Sequence, residues 1–158
     1  MEAAFSVRKG GRFFDEPALD AHLDLLRELD GLDGVLHLTH EGQPDVEVRD
    51  ELSAVVHRIC LTAPVDLLGG SPVFLYRYAS WSSHLVVVPY GSRVRMFGEH
   101  IPRAVWPAAE LWAATVALGA RYANLLDRLH GAQSGHAAPT RALHARAAAA
   151  LLALPPSA

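Results

Sequence analysis

In SHLVVVPYGSRVRMFGEHIP, residues 83–102, two β-like runs meet at Gly91-Ser92. RVRMFG alternates apolar and polar residues, as a strand with one wet face does. Leu85 to Val88 are consecutive apolar residues, which predicts a strand covered on both faces. Gly98-Glu99-His100-Ile101-Pro102 then leads toward a long helix, either as the rim of a site or as a hand-over from sheet to helix. Upstream, VFLYRYASW over residues 73–81 is the clearest strand, with Phe74, Tyr76 and Tyr78 on one side. Downstream, Leu111, Thr115, Leu118, Tyr122, Leu125 and Leu129 recur on one face of a helix of about 24 residues that Gly131 closes.

The N-terminal third follows the same alternation of strand and helix. Phe5 and Val7, Gly10-Gly11, then Phe13 and Phe14 predict a short hairpin. Asp15 as N-cap and Pro17 in the first turn predict a helix over 16–30, stopped by Gly31. GVLHLTH over 34–40 and the Val46–Val48 run make a second hairpin around Glu41-Gly42-Gln43-Pro44. Asp50 is placed to cap a helix whose stripe is Leu52, Val55, Val56, Ile59 and Cys60, ended by Pro64 and Gly69-Gly70. Antiparallel hairpins without strict βαβ order indicate an α+β fold, a sheet of hairpins with helices packed on it. Residues 1–130 form a single domain in this reading. Residues 131–139 are a flexible connector, and 140–158 an alanine-rich helix, capped by Thr140, and tail.

Composition narrows the function classes. The chain has 158 residues, 51% apolar and 20% charged, a globular balance for one domain. Cys60 is its one cysteine, so no internal disulfide forms, and the absence of signal-like or spanning segments points to a cytoplasmic protein without a membrane role. Charge is uneven. Residues 1–51 carry 13 acidic and 5 basic side chains, net −8, and residues 52–158 carry 4 and 9, net +5. An acidic face built from the N-terminal third repels nucleic acid and attracts basic protein partners. Arg77, Arg93 and Arg95 are too few to suggest a nucleic-acid partner.

Motifs for chemistry are sparse. His37 and His40 are the closest histidine pair, but an odd spacing on a strand sends their rings to opposite faces, so no metal site and no cofactor are expected. Cys60 lies on an apolar stripe, where a thiol behaves as a small apolar group. No GxSxG elbow or phosphate loop is present. Glu99 with His84 or His100 is the remaining acid–base candidate, and it defines an alternative reading as a small enzyme. A generic adaptor or regulatory domain is a further alternative.

From His57 onward the arrangement resembles that of small bacterial immunity-type proteins of polymorphic toxin systems. It comprises Ile59-Cys60, Leu67-Leu68-Gly69-Gly70, the strand Val73–Tyr78, Pro89-Tyr90-Gly91, Val94–Phe97, Gly98 to Pro102, Trp106-Pro107, and Leu118 to Tyr122. The resemblance implies a non-enzymatic binder that neutralises a cognate protein toxin. It implies no individual contact residue, because such interfaces vary with the partner. Charge selects Asp20, Asp24, Glu28, Glu41, Asp45 and Glu47 as the expected partner-facing groups, with Trp81 as an aromatic anchor.

Overall fold

The computed structural model describes residues 1–27, 32–79 and 82–153. It is an α+β fold with two four-stranded antiparallel sheets rather than one. In the N-terminal sheet, β1 (Glu2–Lys9), β2 (Arg12–Asp15), β3 (Asp33–Thr39) and β4 (Val46–Glu51) stand in the order β2-β1-β3-β4. In the C-terminal sheet, β5 (Phe74–Arg77), β6 (His84–Tyr90), β7 (Arg93–Gly98) and β8 (Ile101–Pro107) stand in sequence order. The strand edges of β4 and β8 approach each other, and the Val105 N–H donates to Gln43 Oε1 at 2.9 Å across the seam.

One long helix backs both sheets. Helix α4 (Ala108–His130) contacts β1 on one side and β7 and β8 on the other. All of Leu111, Thr115, Leu118, Tyr122, Leu125 and Leu129 are buried, as the stripe predicts. A fully buried leucine contributes about 1.5–3 kcal/mol, so this stripe is a principal source of stability. Arg121 reaches from α4 to β1, donating to the Ala3 carbonyl at 2.7 Å and to Glu16 Oε1 at 2.6 Å.

Several elements depart from expectation for identifiable reasons. Residues 16–26 form a tighter 3₁₀ segment, Glu16–His22, and a single α-turn, α1 (Leu23–Leu26), instead of one regular helix. The His22 ring sits 4.7 Å from the Phe14 ring, so the segment is drawn against its own hairpin. Asp15 makes no side-chain capping bond there. The second helix starts as α2 (Leu52–Val55) and widens into a π-helical stretch, Val56–Thr62. That wider winding buries three consecutive residues, Ile59, Cys60 and Leu61, and runs on into α3 (Ala63–Leu68). Pro64 lies near the start of α3, within this continuous helical run, rather than ending it.

Gly98 to Pro102 is not a hand-over to the helix. It turns the chain into one more strand, β8, and Pro107 then precedes α4. A Cβ on Gly98 would stand 2.9 Å from the His84 carbonyl oxygen, so the backbone packs too closely for any side chain. Leu85 and Val87 are buried, whereas Val86 and Val88 are half-exposed, so β6 is covered on one face and not on both.

Residues 132–153 pack back on the rest of the chain. A short 3₁₀ turn, Ala132–Ser134, leads to α5 (Ala138–Leu152), which packs on α4, α3 and the π-helical stretch. Thr140 lies within α5 rather than capping it, and its hydroxyl is 2.7 Å from His57 Nε2. Among the described residues, no helix is long and apolar enough to cross a membrane.

Candidate partner-binding face

Strand alternation sorts the N-terminal sheet into two chemistries. Phe5, Val7, Leu36, Leu38, Val46 and Val48 turn to the core. The intervening positions face outward, and β1 to β4 place Glu2, Asp15, Asp33, Glu47 and Glu51 there, with Arg8 and Arg49. Asp45, exposed just ahead of β4, extends the row. Five strand carboxylates therefore stand against two guanidinium groups.

Arg49 organises this face. It donates to Glu47 Oε2 at 2.6 Å, and its guanidinium also lies 5.8 Å from the Phe13 ring centroid. Phe13 is on β2 and Arg49 on β4, so the two side chains reach toward each other over the intervening strands β1 and β3. Val35 and Ser6, outward by register on those strands, are each only 2% exposed. Glu47 keeps a carboxyl pKa below the ordinary value, chiefly through its hydrogen bond from Arg49, and so stays charged.

Ser6, His37 and Glu47 form a chain across three strands. Ser6 Oγ is 2.9 Å from His37 Nε2, and His37 Nδ1 is 3.6 Å from Glu47 Oε1. The order is that of a nucleophile, base and acid. Here Ser6 is buried, at 2% exposure, while His37 and Glu47 are partly exposed on the sheet surface.

A cleft of about 560 Å³ opens where the two sheets part. Asp45, Glu47 and Arg49 line one wall, and Tyr78, Ser83, His100 and Pro102 the other. Asp50 lies behind it, 6% exposed, and accepts hydrogen bonds from the Tyr76 hydroxyl and the Ala79 N–H, both at 2.7 Å. It therefore ties the sheets together instead of capping the second helix.

The expected partner-facing residues fall into two groups. Glu41, Asp45 and Glu47 come together on the β3–β4 hairpin. Asp20 pairs with Arg128 near the far end of α4, and Asp24 with Arg27 at 3.5 Å. His40, next to Glu41, is 3.3 Å from Glu110 at the near end of α4. Glu110 and Arg128 are eighteen positions apart along α4, a span of roughly 27 Å, so one compact contact does not use both groups. Glu28 and Trp81 lie outside the described residues. Glu2, Asp15, Asp33 and Glu51 were not singled out from sequence, although period-two alternation through β1, β3 and β4 marks three of them as outward.

The acid–base candidates separate as well. His100 lines the cleft, Glu99 is exposed in the β7–β8 turn without lining it, and His84 pairs with Arg77 on the C-terminal sheet. Cys60 is fully buried, and burial raises its thiol pKa far above the ordinary value. His37 and His40 turn to different partners, Glu47 and Glu110. Comparison with known proteins finds no family model, curated protein or solved structure that matches this chain.

Proposed function

We propose that this chain is a non-enzymatic binding protein of immunity type, which neutralises a cognate bacterial toxin in the cytoplasm by direct protein–protein contact. The observation that carries the reading is the open face of the N-terminal sheet, where five strand carboxylates oppose two arginines and Asp45 and Glu41 continue the row along the hairpin. A basic toxin surface fits that charge, and long-range attraction speeds its encounter. The β3–β4 hairpin, with Glu41, Asp45 and Glu47, forms the centre of the contact. Asp20, which pairs with Arg128 toward the other end of α4, lies outside it, and so does Asp24, four residues further along the chain.

Growth rescue tests the reading. The product of the neighbouring reading frame is expressed in a test bacterium with and without this chain. Restored growth that is lost with Asp45→Arg/Glu47→Arg, and kept with Asp24→Arg, is the expected result. A harmless neighbour, or a toxic one that this chain does not rescue, overturns it.

A further inference from the structure

The C-terminal sheet presents a second outward face of opposite charge. Across β5, β6 and β7, Leu75 pairs with Val86 and Val86 with Phe97. Across β6, β7 and β8, Val88 pairs with Arg95 and Arg95 with Val105. All these side chains are exposed or half-exposed, with Leu75 at 53% and Tyr90 beside them at 57%. Their neighbours Val87, Met96, Ala104 and Trp106 fill the core on the other side.

Arginines surround this apolar strip. Arg77, Arg93, Arg95 and Arg103 all belong to the face, and none of its strand positions carries a carboxylate. Among the described residues none of the four forms an ion pair. Arg95 stands over Tyr90 at 4.5 Å and Arg103 over Phe97 at 6.0 Å, held by ring faces that leave their charge uncompensated. An apolar centre with aromatic and arginine anchors is the composition of a protein interface. Its occupant must bring carboxylates, so two such faces repel each other.

We propose that this face docks a second copy of the chain, through the acidic open face of that copy's N-terminal sheet. The charges complement, since the acidic face carries Glu47, Glu51 and Asp33 where the basic face carries its arginines, and Phe13 supplies an exposed apolar group. Both surfaces are four strands wide, roughly 14 Å between outer strand axes, and aligned sheets pack face to face. The complementarity is largely between exposed charges, so the association is reversible and salt-sensitive. Because each copy offers one face of each kind, the contact is head-to-tail. The contact uses the acidic face that the proposed function gives to the toxin, so a second copy and a toxin compete for it, but it does not rest on that reading, and failed growth rescue leaves it standing.

Sedimentation of the purified full chain tests it. At low salt the mass is expected to rise with protein concentration, and at high salt to return to that of one chain. Arg93→Glu/Arg95→Glu blocks the basic face and Asp45→Arg/Glu47→Arg the acidic one, and each variant alone weakens association at least tenfold. Mixed together, the two variants form a one-to-one complex, because each retains the face the other needs. Leu75→Asp, at an exposed position, repeats the first block if the double arginine variant does not fold. A single-chain mass at every concentration overturns the proposal, as does association unmoved by either pair or a mixture that fails to combine. If the protein alone stays monomeric, and oligothymidylate binds it but not the Arg93→Glu/Arg95→Glu variant, the face belongs to nucleic acid instead.

Discussion

The Tyr76 hydroxyl donates to the Asp50 carboxylate at 2.7 Å, joining the end of β4 to the outer strand of the other sheet. Asp50 is buried, and burial together with this bond raises the Tyr76 pKa well above the ordinary value, so the phenol remains a donor. Tyr76→Phe removes this donor, while the bond from the Ala79 N–H remains. The expected loss is about 1.5–3 kcal/mol, the range for a hydrogen bond to a charged group, measured by urea unfolding. A loss below a few tenths of a kcal/mol would mean that water replaces the hydroxyl.

Gly119 sits where α4 crosses the π-helical stretch. A Cβ there would stand 2.5 Å from Leu61 Cδ2. Gly119→Ala is expected to destabilise by about 1–3 kcal/mol despite its better helix propensity. Pairing it with Leu61→Ala should recover part of that loss, since the two substitutions share one space. Thermal unfolding of the single and double variants reads the coupling.

Burial lowers the His57 pKa from its ordinary 6.5. The unfolded chain therefore binds a proton more readily than the folded one. The contribution of His57 is fully present above pH 6.5 and declines as pH falls below it. Denaturant midpoints measured from pH 7.5 to 5.5, a range of about two units around the ordinary histidine pKa, should fall with pH. His57→Gln, which can still bond Thr140, should flatten that slope. A slope unchanged in the variant assigns it to the other histidines.

Arg121 bonds the Ala3 carbonyl and Glu16 at once. Arg121→Lys keeps the charge but loses the planar fork. About 1–2 kcal/mol of stability is expected to go with it, read by the urea midpoint. If lysine matches arginine, the charge alone holds the 3₁₀ segment to α4.

Elements governed by a local period were readable from the residues alone. The α4 stripe is buried at every position named, and the turns at Gly91-Ser92 and Gly42-Gln43 fall where the glycines put them. Long-range effects were not readable. Asp50 looks like a helix cap because capping is local, whereas its partner Tyr76 is 26 residues away. Val86 and Val88 look buried because four apolar residues in a row carry no period. The division into two sheets depends on which edges pair, and β4 and β8 are far apart in sequence. For the acidic face, net charge indicated the region, but the register of β1, β3 and β4 selected the members.

On both sheets, the residues that face outward alternate with those that fill the core. A substitution at Asp45 or Arg93 changes the surface without disturbing Val46 or Val94 beside it, which are buried. The two sheets thus separate the residues that can change what the surface meets from those that hold the fold together.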